Sequence, residues 1–349
     1  MNRKITKTIR VRGVPIGGGN PIPVQSMTNT HTDDVAATLA QLRRLEAAGC
    51  EIVRLAVPNQ LAARALPDIR RGTGLPLVAD IHFDYRLALA AVEAGFDKIR
   101  INPGNIGSPE RVRMVADACR ERGVPIRVGV NSGSVEKGLL EKYGLCAKSL
   151  CESALGHVKL LEDCGFEDIC ISVKASDVAM TVEANRLLST LCDYPLHIGV
   201  TEAGTKERGI LKSAAGLGAL LLDGIGDTIR ISLTDAPEEE AHAGGELLRA
   251  LGLRSGVQFV SCPSCGRTEY DLIGTAKAVE TRLRDKPWNI TVAVMGCVVN
   301  GPGEASHADY GIAGGKSEGV IFKHCEPVAR VASDRLADAL VELIERENQ

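Results

Sequence analysis

Short runs of β-branched and aliphatic residues alternate with longer segments of helical periodicity through most of the chain. The runs are residues 24–27, 52–57, 77–81, 98–101, 126–130, 168–173, 196–200 and 228–233. Such alternation is typical of βα units on a parallel sheet. Eight units match a (β/α)8 barrel in number, whereas a doubly wound sheet usually has fewer strands and a G-x-G-x-x-G after the first. The sequence therefore predicts an α/β fold with a TIM barrel.

The composition fits this fold and argues against several partners. Hydrophobic residues make up 44% of the 349 residues and aromatic residues only 3%, which favours small branched side chains packed in an α/β core. The net charge of −3 gives no general attraction to nucleic acid or to anionic membranes. No apolar run approaches the roughly 20 residues of a membrane-spanning helix, and no hydrophobic signal region follows the basic N-terminus. We expect a cytoplasmic protein that binds neither nucleic acid nor membrane.

A second, smaller domain follows where the barrel pattern ends, around residues 252–258. The predicted elements are strands at 259–260, 289–294, 310–313 and 320–323 and helices at 270–284 and 332–345. A Gly-rich loop follows the second of these strands. The sequence thus predicts a barrel domain over residues 1–253 and an α+β domain over residues 254–349.

The eleven cysteines fall into two groups. Seven are scattered without regular spacing and are expected to be small buried hydrophobic residues, as in a reducing compartment. They are Cys50, Cys119, Cys146, Cys151, Cys164, Cys170 and Cys192. The other four lie in the smaller domain, where their spacing suggests chemistry.

Three of these four cysteines form a candidate iron–sulfur site. Cys262 and Cys265 form a C-x-x-C pair, a spacing shared by zinc sites, iron–sulfur sites and redox dithiols. A second C-x-x-C, which a four-cysteine zinc site normally has, is absent. Cys297 supplies a third thiolate from a glycine-rich loop. Three thiolates would leave one iron of a [4Fe–4S] cluster without a cysteine. From the residues alone, its ligand could be Glu304, Cys325, His324, His307, water or substrate.

Polar residues stand near the carboxyl ends of the predicted strands, often two apart, so that both would face the lumen. They are Arg54, Asp80, His82, Arg100, Asn102, Arg127, Asn131, Ser172, Lys174, Thr201, Glu202, Arg230 and Ser232. The cations Arg54, Arg100, Arg127 and Lys174 would meet at one barrel mouth with few carboxylates, which predicts an anionic ligand such as a phosphate. A core salt bridge with Asp80, Glu202 or Asp235 is the alternative for each cation. Glu202 and His82 are candidate acids or bases.

The motifs C-P-S-C-G-R-T and M-G-C-V-V-N-G-P-G-E-A, with the barrel before the cluster domain, resemble the 4-hydroxy-3-methylbut-2-enyl diphosphate synthase family of isoprenoid biosynthesis. The resemblance implies an iron–sulfur oxidoreductase of the methylerythritol phosphate pathway. Its substrate would be 2-C-methyl-D-erythritol 2,4-cyclodiphosphate, reduced and dehydrated with two electrons passed through a [4Fe–4S] cluster. Glu304 would be the fourth ligand. The four cations would hold the diphosphate, with Asn102 and Asn131 as further contacts.

The same resemblance implies partners for the chain. Because the sequence lacks a nucleotide-binding fingerprint, the electrons would come from a flavodoxin or ferredoxin. In the family a head-to-tail homodimer lets one subunit's cluster domain cover the other's barrel, although the sequence leaves closure within one chain open. Two other functions are compatible with parts of the pattern. One is a pterin-binding barrel transferase with a structural zinc site, and the other is a non-catalytic iron–sulfur electron carrier.

Overall fold

The computed structural model describes residues 2–297, 305 and 307–348. The chain divides into two compact units, Met1–Leu251 and Gly252–Gln349. The sequence places this division after residue 253. Within the described residues, every helix is too short or too polar to span a membrane.

A short hairpin precedes the barrel strands. Strand β1 (Ile9–Val11) pairs antiparallel with β2 (Val14–Ile16). Its buried side chains pack on Ile52, Val78 and Cys170, which lie toward the strand beginnings. The hairpin therefore covers the end of the barrel at which the strands start.

The barrel strands are β3 (Gln25–Met27), β4 (Ile52–Ala56), β5 (Leu77–Asp80), β6 (Lys98–Ile101), β7 (Ile126–Asn131), β8 (Ile169–Lys174), β9 (His197–Ile198) and β10 (Thr228–Ile229). β3 to β8 form one parallel six-stranded sheet, and β9 and β10 form a parallel pair. Parallel bridges between Ile171 and Leu196, and between Val24 and Ile229, join the two sheets at both edges. All eight predicted strands therefore occur, and together they form the predicted barrel.

The helices of the first unit lie between the strands. They are α1 (Val35–Ala47), α2 (Gln60–Arg71), α3 (Tyr85–Glu93), α4 (Pro103–Ile106), α5 (Pro109–Arg122), α6 (Lys137–Tyr143), α7 (Ala147–Glu162), α8 (Val178–Leu191), α9 (Lys206–Leu222) and α10 (Pro237–Ala250). Asp34, Asn59, Asp84 and Asp177 cap four of them by accepting hydrogen bonds from first-turn N–H groups. These caps fix where the helices begin.

The second unit is a five-stranded sheet with two described helices. Its strands are β11 (Gln258–Ser261), β12 (Thr291–Met295), β13 (Tyr310–Ala313), β14 (Glu318–Lys323) and β15 (Glu326–Ala332), in that order across the sheet. The helices α11 (Leu272–Leu283) and α12 (Leu336–Glu347) bury their apolar faces in a core that includes Val292, Ile312 and Leu340. β11 to β13 are parallel, and β13 to β15 are antiparallel. This is the expected α+β domain, with β15 as an unpredicted edge strand.

The seven scattered cysteines behave only partly as expected. Cys50, Cys119, Cys151 and Cys170 are buried, and burial raises the pKa of the Cys119 thiol to about 12. Cys146, Cys164 and Cys192 are instead half-buried. The prediction of burial is therefore wrong for these last three, which lie at helix ends, where neighbouring elements cover them less completely.

Candidate functional site

The predicted cations lie on four strands of the six-stranded barrel sheet, three of them consecutive. Arg54 is on β4, Arg100 on β6, Arg127 on β7 and Lys174 at the end of β8. The register pairs Arg100 with Arg127, and Asn131 with Lys174. Because alternate residues of a strand point to the same side, these side chains share the lumen.

Asp80, on β5, lies between two of these cations. Its Oδ2 atom is 2.5 Å from Nη2 of Arg54, and its Oδ1 atom is 3.2 Å from Nη1 of Arg100. Burial alone would raise the pKa of Asp80, but the charges of Arg54 and Arg100 outweigh it and bring the pKa to about 2. One carboxylate therefore forms ion pairs with two arginines. For Arg54 and Arg100, the structure thus shows the salt bridge with Asp80 that the sequence analysis gave as the alternative to an anionic ligand.

Arg127 and Lys174 have no carboxylate in ion-pair contact within the described residues. Arg127 is only 1% exposed, and its Nε and Nη1 atoms lack hydrogen-bond partners in that part of the chain. Burial, followed by the charges of Arg54 and Arg100, lowers the pKa of Arg127. Burial and Arg127 likewise lower the pKa of Lys174. An unpaired buried cation is costly, so these two groups favour an anionic ligand.

Two glycines make room for the cations, Gly129 within β7 and Gly199 directly after β9. A Cβ at position 129 would lie 2.6 Å from Nε of Arg100, and a Cβ at position 199 would lie 2.5 Å from Nζ of Lys174. The Gly129 carbonyl also accepts a hydrogen bond from Nη2 of Arg100 at 3.3 Å. Glycine in a strand interior commonly marks such a close approach.

Arg230, another cation at a predicted strand end, has a structural partner. Its Nε and Nη2 atoms donate to the two carboxylate oxygens of Glu240 at 3.0 and 3.1 Å. Glu240 is buried and also accepts from the hydroxyl of Ser26. Because the carboxylate is already bound on both oxygens, Arg230 needs no anionic ligand.

A cavity of about 520 Å³ brings four of the predicted residues together: His82, Arg100, Asn102 and Asn131 line it. Asn102 also caps α4, since its Oδ1 atom accepts from the N–H of Gly104 at 3.1 Å. The sequence analysis missed two further lining residues, Glu136 and His157, whose Oε1 and Nε2 atoms lie 2.7 Å apart. They follow no strand end directly, so the strand-end pattern gave no signal for them.

The two candidate acid–base residues occupy exposed positions. Glu202 lies shortly after β9 and has a backbone φ of 53°, which is uncommon for a residue with a side chain. Such backbone strain persists where the surrounding structure imposes it, often at functional sites. The side chain of His82 is 52% exposed, with Nε2 3.8 Å from Oδ2 of Asp80. His82 is therefore adjacent to the arginine–aspartate group.

In the second unit, Cys262 and Cys297 follow neighbouring parallel strands. Cys262 comes directly after β11, and Cys297 comes two residues after β12. The N–H of Cys262 donates to the Val294 carbonyl at 3.3 Å, which continues the ladder to the end of β11. Because the carboxyl ends of parallel strands meet at one edge, both cysteines lie at the same edge of the sheet.

Cys265 lies in the turn that follows Cys262. Its carbonyl accepts from the N–H of Thr268 at 3.0 Å, and its own N–H donates to Oγ1 of Thr268 at 3.3 Å. The thiol is exposed, and hydrogen bonds from the backbone and side chain of Arg267 lower its pKa. This environment favours the thiolate, the form that binds iron.

The donor set fits an iron–sulfur group. The N–H of Gly296 donates to Sγ of Cys262 at 2.9 Å, and such bonds to sulfur adjust the potential of a cluster. Among residues 2–297, 305 and 307–348, no three His, Cys, Asp or Glu side chains can hold one metal ion together. A cluster binds each cysteine to a different iron and so requires a wider spacing. Glu304, the predicted fourth ligand, lies outside the described residues.

Two of the alternatives for the fourth ligand lie at the opposite edge of the sheet. His324 and Cys325 form the two-residue turn between β14 and β15, with φ values of 46° and 70°. The register places Lys323 beside Tyr310, at the start of β13, whereas Cys262 lies past the ends of the parallel strands. A four-residue strand spans about 13 Å. Within one chain, His324 and Cys325 are therefore poor candidates.

Comparison with known proteins places both units in one family. The GcpE TIM-barrel domain matches residues 6–245. The GcpE protein C-terminal domain matches residues 258–346.

Near-full-length relatives carry a specific name. A protein of Fusobacterium nucleatum, named 4-hydroxy-3-methylbut-2-en-1-yl diphosphate synthase (flavodoxin), is 55% identical over 97% of this chain and 96% of its own. A Geobacter sulfurreducens protein of the same name is 57% identical over 98% of this chain and 97% of its own. A dihydropteroate synthase structure from Yersinia pestis has a TM-score of 0.51 at 14% identity and covers 70% of this chain and 98% of its own. At that identity, the likeness to a pterin-binding transferase concerns the fold alone.

Proposed function

The chain belongs to the GcpE family, and from this premise we propose that it is a flavodoxin-dependent 4-hydroxy-3-methylbut-2-en-1-yl diphosphate synthase. Its substrate is 2-C-methyl-D-erythritol 2,4-cyclodiphosphate. Two electrons and two protons convert this cyclic diphosphate into the linear allylic diphosphate and one water. The enzyme acts in the methylerythritol phosphate pathway to isoprenoids.

The observation that carries this proposal is the group of four cations in the lumen, three of them buried and Arg54 half-buried. Arg127 and Lys174 lack a carboxylate in contact within the described residues, and Arg54 and Arg100 share only Asp80. The cyclic diphosphate bears two negative charges, so it offsets the excess positive charge that these side chains create. Bidentate contacts with arginine also fix its orientation, which positions its carbon skeleton for reaction.

Asn102 and Asn131 line the same cavity as Arg100 and would bind the hydroxyl or phosphoryl oxygens of the substrate. His82 and Glu202 lie near the strand ends and could supply the protons that the reaction consumes. Nε2 of His82 is 3.8 Å from Oδ2 of Asp80, so His82 lies beside the arginine–aspartate group that would hold the substrate. Binding of substrate would exclude water from this group of residues.

A [4Fe–4S] cluster is the proposed cofactor, with Cys262, Cys265, Cys297 and Glu304 as ligands. When bound, it delivers electrons singly, as a flavodoxin can supply them. The protein contributes thiolates at one sheet edge and the N–H of Gly296, which donates to Sγ of Cys262. Iron would hold the carboxylate of Glu304 less firmly than a thiolate, so this residue would be the exchangeable ligand of the cluster.

Anaerobic turnover tests the function directly. The purified protein should be brown, should contain about four irons per chain, and should convert the cyclic diphosphate when given an artificial one-electron reductant. Arg100→Ala should keep the cluster spectrum and lose substrate affinity. A colourless zinc protein, or a brown protein that binds the cyclic diphosphate without converting it, would contradict the proposal.

We propose that the active form is a cytoplasmic homodimer. The family resemblance implies that one subunit's cluster unit would serve the other's barrel, and closure within one chain is the alternative. A mixture of two inactive variants, Arg100→Ala and Cys297→Ser, tests this arrangement. In a mixed dimer, one barrel and one cluster unit remain intact on different chains, so part of the activity should return. If each chain uses its own cluster, the mixture should stay inactive.

A further inference from the structure

A buried polar layer lies inside the barrel, beneath the proposed diphosphate site. Lys98 lies two residues before Arg100 on β6 and faces the lumen with it, and His197 begins β9. Both side chains are completely buried. Nζ of Lys98, Nε2 of His197 and both polar atoms of Gln25 lack hydrogen-bond partners in the described residues, which include the whole barrel after Met1. These groups are too deep to contact a ligand at the mouth directly.

We propose that this layer couples substrate binding to proton uptake, with Lys98 and Lys174 as the groups that accept the protons. The inference rests on the proposed diphosphate site at the mouth. It assigns Lys98 a positioning role, because the residue acts through the charge of the lumen and not through contact with the substrate.

Without a bound anion, the cationic side chains of the lumen outnumber the carboxylates that could neutralise them. Lys98 and Lys174 lie among Arg54 on β4, Arg127 on β7, Cys170 on β8, His197 on β9, Arg230 directly after β10 and Glu240 on α10. Arg100 on β6 and Asp80 on β5 lie next to Arg127 in the same lumen. Asp80 is committed to Arg54 and Arg100, and Glu240 to Arg230. Neither carboxylate is in ion-pair contact with Lys98, Lys174 or Arg127.

The excess positive charge decreases most readily when a lysine loses its proton. Arginine keeps its proton in proteins, whereas lysine gives it up when buried. Burial, with the charges of Arg127 and Arg54, lowers the pKa of Lys98 to about 8. Burial and the neighbouring arginines also lower the pKa of Lys174 well below its usual value. His197 is affected in the same way and stays neutral.

Binding of the substrate adds negative charge to the lumen and so opposes the deprotonation of the lysines. Each phosphorus of a cyclic diphosphate diester carries one strongly acidic oxygen, so the ligand is a dianion with no titratable proton near neutral pH. Its charge favours the protonated lysines, and the protons come from solvent. Because binding takes up protons, affinity falls as pH rises above about 8, by up to tenfold per pH unit for each proton bound.

Calorimetric binding of the cyclic diphosphate to the oxidised holoenzyme tests the inference without any variant. Titrations at pH 8 in buffers of different ionisation enthalpy give the number of protons bound. We expect roughly half a proton or more, since a group with pKa about 8 is half-protonated there. The dissociation constant should rise steadily from pH 7 to pH 9. Tight binding with no proton exchange and no pH dependence would overturn the inference.

A variant pair identifies the acceptor. Lys98→Met should lower the proton count at pH 8 and flatten the rise of the dissociation constant. Lys159→Met removes an exposed lysine on α7 and should leave both unchanged. If Lys98→Met bound as many protons as the native protein, Lys98 would not be an acceptor. Failure of the proposed site gives a different result, since the native protein would not bind the ligand or Arg100→Ala would bind it equally well.

Discussion

The buried carboxylate of Asp80 compensates two arginines, of which Arg100 is buried and Arg54 half-buried, so its removal should cost more than the loss of an ordinary ion pair. Asp80→Asn leaves Arg54 and Arg100 without their carboxylate. Breaking a buried pair from one side typically costs about 3–5 kcal/mol. We expect a loss of this size in the free energy of unfolding of the barrel, measured by urea denaturation of the holoprotein.

The cyclic diphosphate should restore much of this stability, because it brings charge to the same arginines. The matched control is Asp97→Asn, which removes a carboxylate 2.7 Å from Nη1 of Arg70 at the opposite end of the barrel. The ligand should stabilise Asp97→Asn no more than it stabilises the native protein. If the ligand stabilised both variants equally, Asp80 and the substrate would not share their arginines.

Gly129 offers a second test at the scale of one residue. In Gly129→Ala, the added Cβ would meet Nε of Arg100, a side chain that can move aside. Arg100 would then lose its aligned position, and a lost charge-assisted hydrogen bond costs about 1.5–3 kcal/mol. We expect roughly tenfold to hundredfold weaker binding of the cyclic diphosphate, with the fold retained.

Gly156→Ala on α7 is the matched control, because no atom lies within 4 Å of its added Cβ. It should bind substrate normally and fold at least as stably, since alanine is the better helix former. Normal binding by Gly129→Ala would mean that Arg100 tolerates displacement and does not orient the ligand.

At the scale of elements, Gly296, the residue directly after β12, lies close to the turn that holds Cys262 and Cys265. A Cβ on residue 296 would lie 2.9 Å from Oγ1 of Thr268, 3.1 Å from Cδ2 of Leu272 and 3.2 Å from Sγ of Cys262. Gly296→Ala should therefore separate β12 from the cysteine turn. Disturbing groups around metal ligands typically costs tenfold to a hundredfold in metal affinity. We expect fewer irons per chain and a weaker visible absorption in anaerobic preparations.

The control lies four residues after Cys262. Gly266→Ala adds a Cβ with no atom within 4 Å, so it should retain its iron. Equal iron content in both variants would show that the close approach at Gly296 is unnecessary for cluster binding.

The eight barrel strands were predictable because their β-branched runs are buried on both faces. The hairpin was not, since β1 and β2 have only three residues each and no alternation longer than that. β15 is mostly exposed and contains Pro327, which argues against a strand. Its pairing with β14 through the two-residue turn determines its conformation.

The positions of the candidate site residues were predictable where a strand ended and less so elsewhere. Arg54, Arg100, Arg127 and Lys174 followed from alternation along the strands, whereas the shared role of Asp80 depends on distances between strands. Lys98 lies on the same face of β6 as Arg100, so the sequence contained a signal for it. Its burial beneath the mouth, however, depends on closure of the barrel and on the hairpin that covers the strand beginnings.

At the scale of the whole molecule, the two units have separate cores, and the proposed cluster ligands all lie in the second. Removing iron from the holoprotein should therefore loosen the second unit and leave the barrel intact, because loss of a local constraint opens the cooperative unit that contains it. Hydrogen exchange should rise in β11 and β12 and remain unchanged in β4 to β8. The iron-free protein should still bind the cyclic diphosphate, seen as slower exchange near Arg100 and Lys174. Faster exchange throughout the barrel strands after iron removal would mean that the barrel depends on the cluster for its stability, contrary to this division.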